Sequence, residues 1–127
     1  MKEEEKILKA VTCLIEQTQD GKLKWNACQP PNDITEGKEG TVHIVYQTER
    51  DNKLIRLYEY KDRVYTDEDV WHWDDRVALE LSNEPKNAWW RFPRHSVIWD
   101  LLEAVKFKVA GADEFIDNLL LGKDMPF

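Results

Sequence analysis

The chain has 127 residues, 34% of them charged and 42% apolar, with six tryptophans, four tyrosines and four phenylalanines, enough for one hydrophobic core and too rich in core formers for general disorder. Its 25 acidic and 18 basic residues leave a formal charge of −7, which disfavours direct binding to nucleic acid, because that affinity comes largely from cations that displace counterions along the phosphate backbone. The acidic opening MKEEEKILKAV does not fit a targeting peptide and no apolar run approaches the ~18 residues of a bilayer span, so a cytoplasmic location without a membrane partner is expected.

From Lys2 to Gln19, Ile7, Leu8, Val11, Leu14 and Ile15 recur on one helical face with Glu and Lys on the other. Asp20 and Gly21 stop that helix, and Leu23 to Trp25 can begin an extended segment. Residues 26–40 contain Pro30, Pro31, Gly37 and Gly40 and few apolar side chains, and read as a long loop. Thr41 to Thr48 and Leu54 to Tyr60 alternate in period two, so both are strands, joined through the polar tetrad Glu49-Arg50-Asp51-Asn52. Arg63 to Thr66 either extends the second strand past a kink at Lys61-Asp62 or forms its own. Asp75 to Leu81 and Ala88 to Phe92 form a second hairpin, closed by Pro93. Ser96 is placed to cap a helix carrying Val97, Ile98, Leu101, Leu102, Val105 and Val109. After Gly111, Asp113 to Leu121 repeats the helical pattern up to Gly122. The order predicts a single α+β domain of two layers: an amino-terminal helix, an antiparallel meander of about four strands, and two closing helices, with the helices on one face of the sheet.

Little of the chain carries the marks of chemistry. Phosphate-binding glycine loops and a serine elbow are absent. Cys13 and Cys28 are too isolated for a zinc set or a disulfide framework. Asp67, Glu68, Asp69, His72, Asp74 and Asp75 crowd around Trp71 and Trp73, but without the glycine and ligand ladder of an EF-hand they read as an acidic connection between strands. No catalytic residue, metal or cofactor is therefore assigned. Leu14 through Trp25, with its T-x-x-G-x-L-x-W element, resembles the opening of small proteins of unassigned activity from bacteria and their phages. That resemblance implies the same helix, meander and closing-helix order and carries no active-site residue with it.

The candidate binding surface is the sheet face turned away from the helices. If Ile55, Leu57, Val77, Leu79, Leu81, Trp90 and Phe92 face the core, alternation projects Arg56, Tyr58, Tyr60, Arg76, Glu80, Trp89 and Arg91 to the other side. Arg94 lies just beyond, at the start of a helix where backbone N–H groups favour an anion. Arginine and large aromatics are the residue types that anchor interfaces; the same residues could instead serve as ordinary cross-strand pairs, with Glu80 between Arg56 and Arg91. Which of the adjacent Trp89 and Trp90 faces outward depends on the register. The composition thus points to a non-enzymatic binding protein, with self-association through the open sheet face as one form. The alternative is a phage-type inhibitor of host defence that sequesters a small anionic nucleotide ligand on these arginines or mimics nucleic acid with its own acids.

Overall fold

A computed structural model describes residues 2–35, 42–83 and 88–124. Helix α1 (Glu3–Gln19) leads into strand β1 (Asn26–Cys28), and a single turn of helix, α2 (Asn32–Thr35), follows. Strands β2 (Val45–Arg50), β3 (Lys53–Tyr65), β4 (Trp71–Asn83) and β5 (Trp89–Arg91) complete one antiparallel sheet in the order β1-β2-β3-β4-β5, and helices α3 (Ser96–Val109) and α4 (Ala112–Asp124) close the described chain. The α+β meander is as expected, with five strands rather than about four. The additional strand and α2 both fall within residues 26–40, expected to be a loop; 36–40 lie outside the described residues. Three residues of β1 suffice because their hydrogen bonds are made by β2, with Cys28 opposite Val45.

Local chemistry sets most of the boundaries. Asp51 and Asn52 both take positive φ, 52° and 63°, the backbone of a two-residue type I′ turn whose twist matches that of the strands it joins. Register then runs without a break from Lys53 opposite Asn83 to Tyr65 opposite Trp71, so there is no kink at Lys61-Asp62 and Arg63 to Tyr65 continue β3. Helix α1 turns off at Gly21, φ 78°, and Thr18 ties that end to the sheet: its hydroxyl donates to the Leu14 carbonyl (2.7 Å) and accepts the Trp25 indole N–H (3.0 Å). Helix α3 is capped by His95, whose Nδ1 accepts the Val97 N–H at 3.0 Å; Ser96 is the first helical residue and not the cap. Gly111, φ 68°, ends α3. Gly122 does not end α4, which runs through it to Asp124.

The main core lies between the sheet and the α1–α3 pair, where Val11 and Leu14 of α1 and Ile98, Leu101, Leu102 and Val105 of α3 meet Ile55, Leu57 and Leu79. A second, smaller cluster sits on the opposite face: Ile34 of α2, Val42, Val45, Tyr58 and Ala78. Part of the sheet face expected to be open is therefore covered. No helix among the described residues is long and apolar enough to cross a membrane.

Candidate functional site

Alternation along β3 and β4 does place the expected residues together. Arg56 pairs across the strands with Glu80, and Glu80 with Arg91 on β5. The Arg56 Nε donates to Glu80 Oε1 at 2.7 Å and its Nη2 to Asp33 Oδ2 of α2 at 2.8 Å. Arg91 donates from Nε to the other Glu80 oxygen at 3.1 Å and from Nη2 to the Tyr58 hydroxyl at 3.0 Å, and it sits over the Tyr60 ring. Trp89 stacks on Arg56, with the guanidinium carbon 3.7 Å from the ring centre. Six of the eight predicted residues, Arg56, Tyr58, Tyr60, Glu80, Trp89 and Arg91, thus form one network.

That network is largely interior. Arg56 and Glu80 are each only 6% exposed and Tyr58 is fully buried. Burial, reinforced by the negative charge of Glu80 and a hydrogen bond to it, pushes the Tyr58 hydroxyl up to about 12. Burial acts to lower the Arg91 pKa, but Tyr58 and then Glu80 outweigh it, so the guanidinium is held above its ordinary value. Two arginines face two carboxylates, so the cluster is neutral as a unit, and charge-assisted hydrogen bonds satisfy its buried groups. Its evident work is to hold α2 against the sheet. The expected open face is covered in part: among the described residues α2 delivers Ile34 and Asp33 onto its inner half, and Arg91, Tyr60 and Trp89 lie at the margin of that cover.

The remaining two predicted residues lie apart. Arg76 is one step further along the hairpin, opposite Tyr60, with Nη2 2.9 Å from Asp74 and Nε 3.9 Å from Asp62. Arg94 is exposed and lines a cleft of about 340 Å³ between the starts of α1 and α3, with Glu4, Glu5, Leu8 and His95 around it. The tryptophan pair divides between the faces as alternation predicts, but the core-side member is the more exposed. Trp89 is on the Arg56 face and half-buried. Trp90 is on the helix face against Phe92, ring centres 4.7 Å apart, yet is 49% exposed because β5 lies at the sheet edge.

Sequence reasoning missed a second cluster. Beyond Glu59 the β3–β4 ribbon carries the helix-side face outward, and there Arg63, Tyr65, Trp71 and Trp73 come together. Trp71 and Trp73 meet edge to face at 5.1 Å, and the Arg63 guanidinium lies 4.8 Å and 5.4 Å from their ring centres. Tyr65 and the two tryptophans are 40 to 58% exposed, as is Val70 at the connection (57%). The signal was the shared parity of 63, 65, 71 and 73 in an unbroken hairpin, which stays hidden while β3 is thought to kink. The acids 67–69 lie in the connection between Tyr65 and Trp71, and no group of three or more potential metal ligands occurs among the described residues.

No family model, no curated protein and no solved structure matches this chain.

Proposed function

We propose that this chain is a non-enzymatic interaction protein that engages a protein partner through the outer half of its β3–β4 hairpin. The observation that carries the reading is the solvent-facing Arg63, Tyr65, Trp71 and Trp73 cluster. These are the residue types that dominate binding energy, since large planar groups desolvate much area at small rotamer cost. Cross-strand contacts pre-order them, so little entropy is lost on docking. The acids at residues 67–69 beside them favour a partner with basic groups at the rim. A bacterial or phage setting for that partner is proposed on the resemblance of residues 14–25 to bacterial and phage proteins.

Sequestration of an anionic nucleotide draws less support, because Arg56, Arg76 and Arg91 are each matched by carboxylates. The test is affinity capture on the immobilised chain, with the captured protein purified and its affinity measured against wild type and a Trp71→Ala/Trp73→Ala variant. Binding should weaken by at least ~30-fold, the size of a hot-spot loss of about 2 kcal/mol. Equal affinity for both chains would overturn the reading.

A further inference from the structure

The outer half of the β3–β4 hairpin has an open hydrogen-bonding edge. In an antiparallel ladder, opposite residues alternate between pairs that exchange backbone hydrogen bonds and pairs that do not. Two contacts fix the phase of that alternation. The Thr66 N–H donates to the Val70 carbonyl at 2.9 Å, continuing the register that sets Tyr65 opposite Trp71, so the even-numbered pairs of the hairpin, such as Asp62 with Asp74, hold the bonds between β3 and β4. At the other end the Phe92 N–H donates to the Leu79 carbonyl at 2.9 Å, so the odd-numbered residues of β4 turn their backbone groups toward the β5 side. Strand β5 itself pairs with residues 80–82. Beyond Leu79, among the described residues, no strand faces the N–H and C=O groups of Trp71, Trp73, Asp75 and Val77. Such an edge is ordinarily blunted by proline, lysine or a bulge. Residues 71–77 hold neither proline nor lysine and keep an unbroken register, and their aspartates are drawn to cations of the same ribbon, Asp74 to Arg76 at 2.9 Å and Asp75 to Lys61 at 3.4 Å.

We propose that a second copy of this chain pairs along this edge, β4 against β4, antiparallel about a twofold axis at Trp73. The inference rests on the reading of the outer hairpin as an interaction surface and names its partner. Unpaired strand groups select an extended strand as the occupant, and self-complementary charge selects the copy and its register. Only alignments that set odd-numbered residues opposite odd-numbered ones join the free groups of both edges. An axis at Asp74, Asp75 or Arg76 sets that residue against its own copy. One at Trp71 or His72 sets Asp75 against Asp67 or Asp69, and one at Val77 drives Asp75 onto Leu79, whose carbonyl Phe92 already holds. The axis at Trp73 places His72 opposite Asp74, Trp71 opposite Asp75 and Trp73 opposite its copy, with no like charges facing. Its ladder ends with Val77 opposite Asp69, short of Leu79 and so clear of β5. The tryptophans of both copies then form one row, with Trp71 diagonal to Trp73 of the second copy, and cross-strand aromatics are favourable neighbours.

Sedimentation equilibrium of the full chain across micromolar concentrations tests this. Wild type should sediment at twice the chain mass of 15.1 kDa and no heavier, because a twofold contact closes on itself. Asp75→Pro deletes an N–H that the ladder with β3 does not use and leaves Trp71 and Trp73 in place. It should raise the dissociation constant by at least ~30-fold, since the twofold axis doubles the loss. Asp75→Ala keeps that N–H and should keep the dimer. His72→Asp sets like charges at both symmetric contacts between positions 72 and 74 and should weaken the dimer about tenfold. It supplies the measurement should Asp75→Pro fail to match the far-UV circular dichroism of wild type. A wild-type monomer throughout, growth beyond the dimer, or a dimer indifferent to the variants that fold overturns the proposal. Capture of a different protein by a monomeric chain, lost in Trp71→Ala/Trp73→Ala, would leave the interaction reading intact and remove only edge pairing. A monomeric chain whose captured partner is indifferent to that double variant would remove both.

Discussion

The inner and outer halves of the β3–β4 hairpin are built from the same residue types and meet different fates. In the inner half, Arg56, Tyr58 and Glu80 sink beneath α2 and become a hydrogen-bonded network with Asp33, Trp89 and Arg91. In the outer half, Arg63, Tyr65, Trp71 and Trp73 keep comparable stacking but remain at the surface, because neither α2 nor the α1–α3 layer extends that far. The contrast teaches that an arginine-aromatic array becomes structural or available for binding according to what covers it. Alternation assigns a side chain to a face, and only tertiary packing decides whether that face meets water.

The sharpest way to break the comparison is to remove one charge from each half. Glu80→Ala strips the buried Arg56 of its closest partner, and loss of one member of a buried pair costs about 3–5 kcal/mol. Chemical denaturation should register that loss. Arg63→Ala removes a cation from an exposed stack and should cost under about 1 kcal/mol. Equal effects would mean that the two halves do not differ in burial as described. Next in size is the tryptophan pair. Trp89→Ala removes the ring stacked on a desolvated guanidinium and should cost about 2 kcal/mol, whereas Trp90→Ala loses mainly its contact with Phe92, about 1 kcal/mol. The Trp71→Ala/Trp73→Ala variant should stay within about 1 kcal/mol of wild type in stability, since exposed cross-strand contacts contribute little. Its deficit should be in binding.

These expectations also mark what the sequence could reveal. Helices α1, α3 and α4, the period-two strands and the face shared by Arg56, Glu80 and Arg91 follow from spacing alone, because 3.6- and 2-residue periodicities are local properties. The cover over that face does not. Asp33 and Ile34 sit in a stretch whose prolines and polar residues give no periodic signal, and α2 has a single turn. It owes its place to long-range contacts, Ile34 with the Val45–Tyr58–Ala78 cluster and Asp33 with Arg56, which no window of sequence displays. Ser96 was misread as the α3 cap for a related reason: serine is the commoner cap, but His95 one residue earlier has extended backbone, φ −158° and ψ 145°, and an Nδ1 lone pair in reach of the Val97 N–H. Gly122 shows the opposite error, since a glycine that costs about 1 kcal/mol inside a helix need not end one. The outer hairpin cluster was legible in principle, because Trp71 and Trp73 share parity, but only once β3 is known to run unbroken to Tyr65.

The smallest and most specific effect should come from the Tyr58 hydroxyl. It is buried among Arg91, Glu80 and Tyr60, and its pKa is raised from 10.0 to about 12. In the unfolded chain the phenol ionises near 10, while in the folded chain it stays protonated until about 12. Between those values the folded state binds the additional proton, so stability falls as pH rises. Below pH 10 both states keep the proton and the contribution is fully present; above about 12 it is gone. Tyr58→Phe removes this titration, so its stability should decline less steeply than wild type between pH 10 and 12, although its stability at pH 7 is lower for want of the hydrogen bonds to Glu80 and Arg91. Denaturant midpoints taken across that interval for both chains would decide the matter. Parallel pH profiles for wild type and Tyr58→Phe would place the Tyr58 hydroxyl in water and remove the distinction between the two halves at its most buried point.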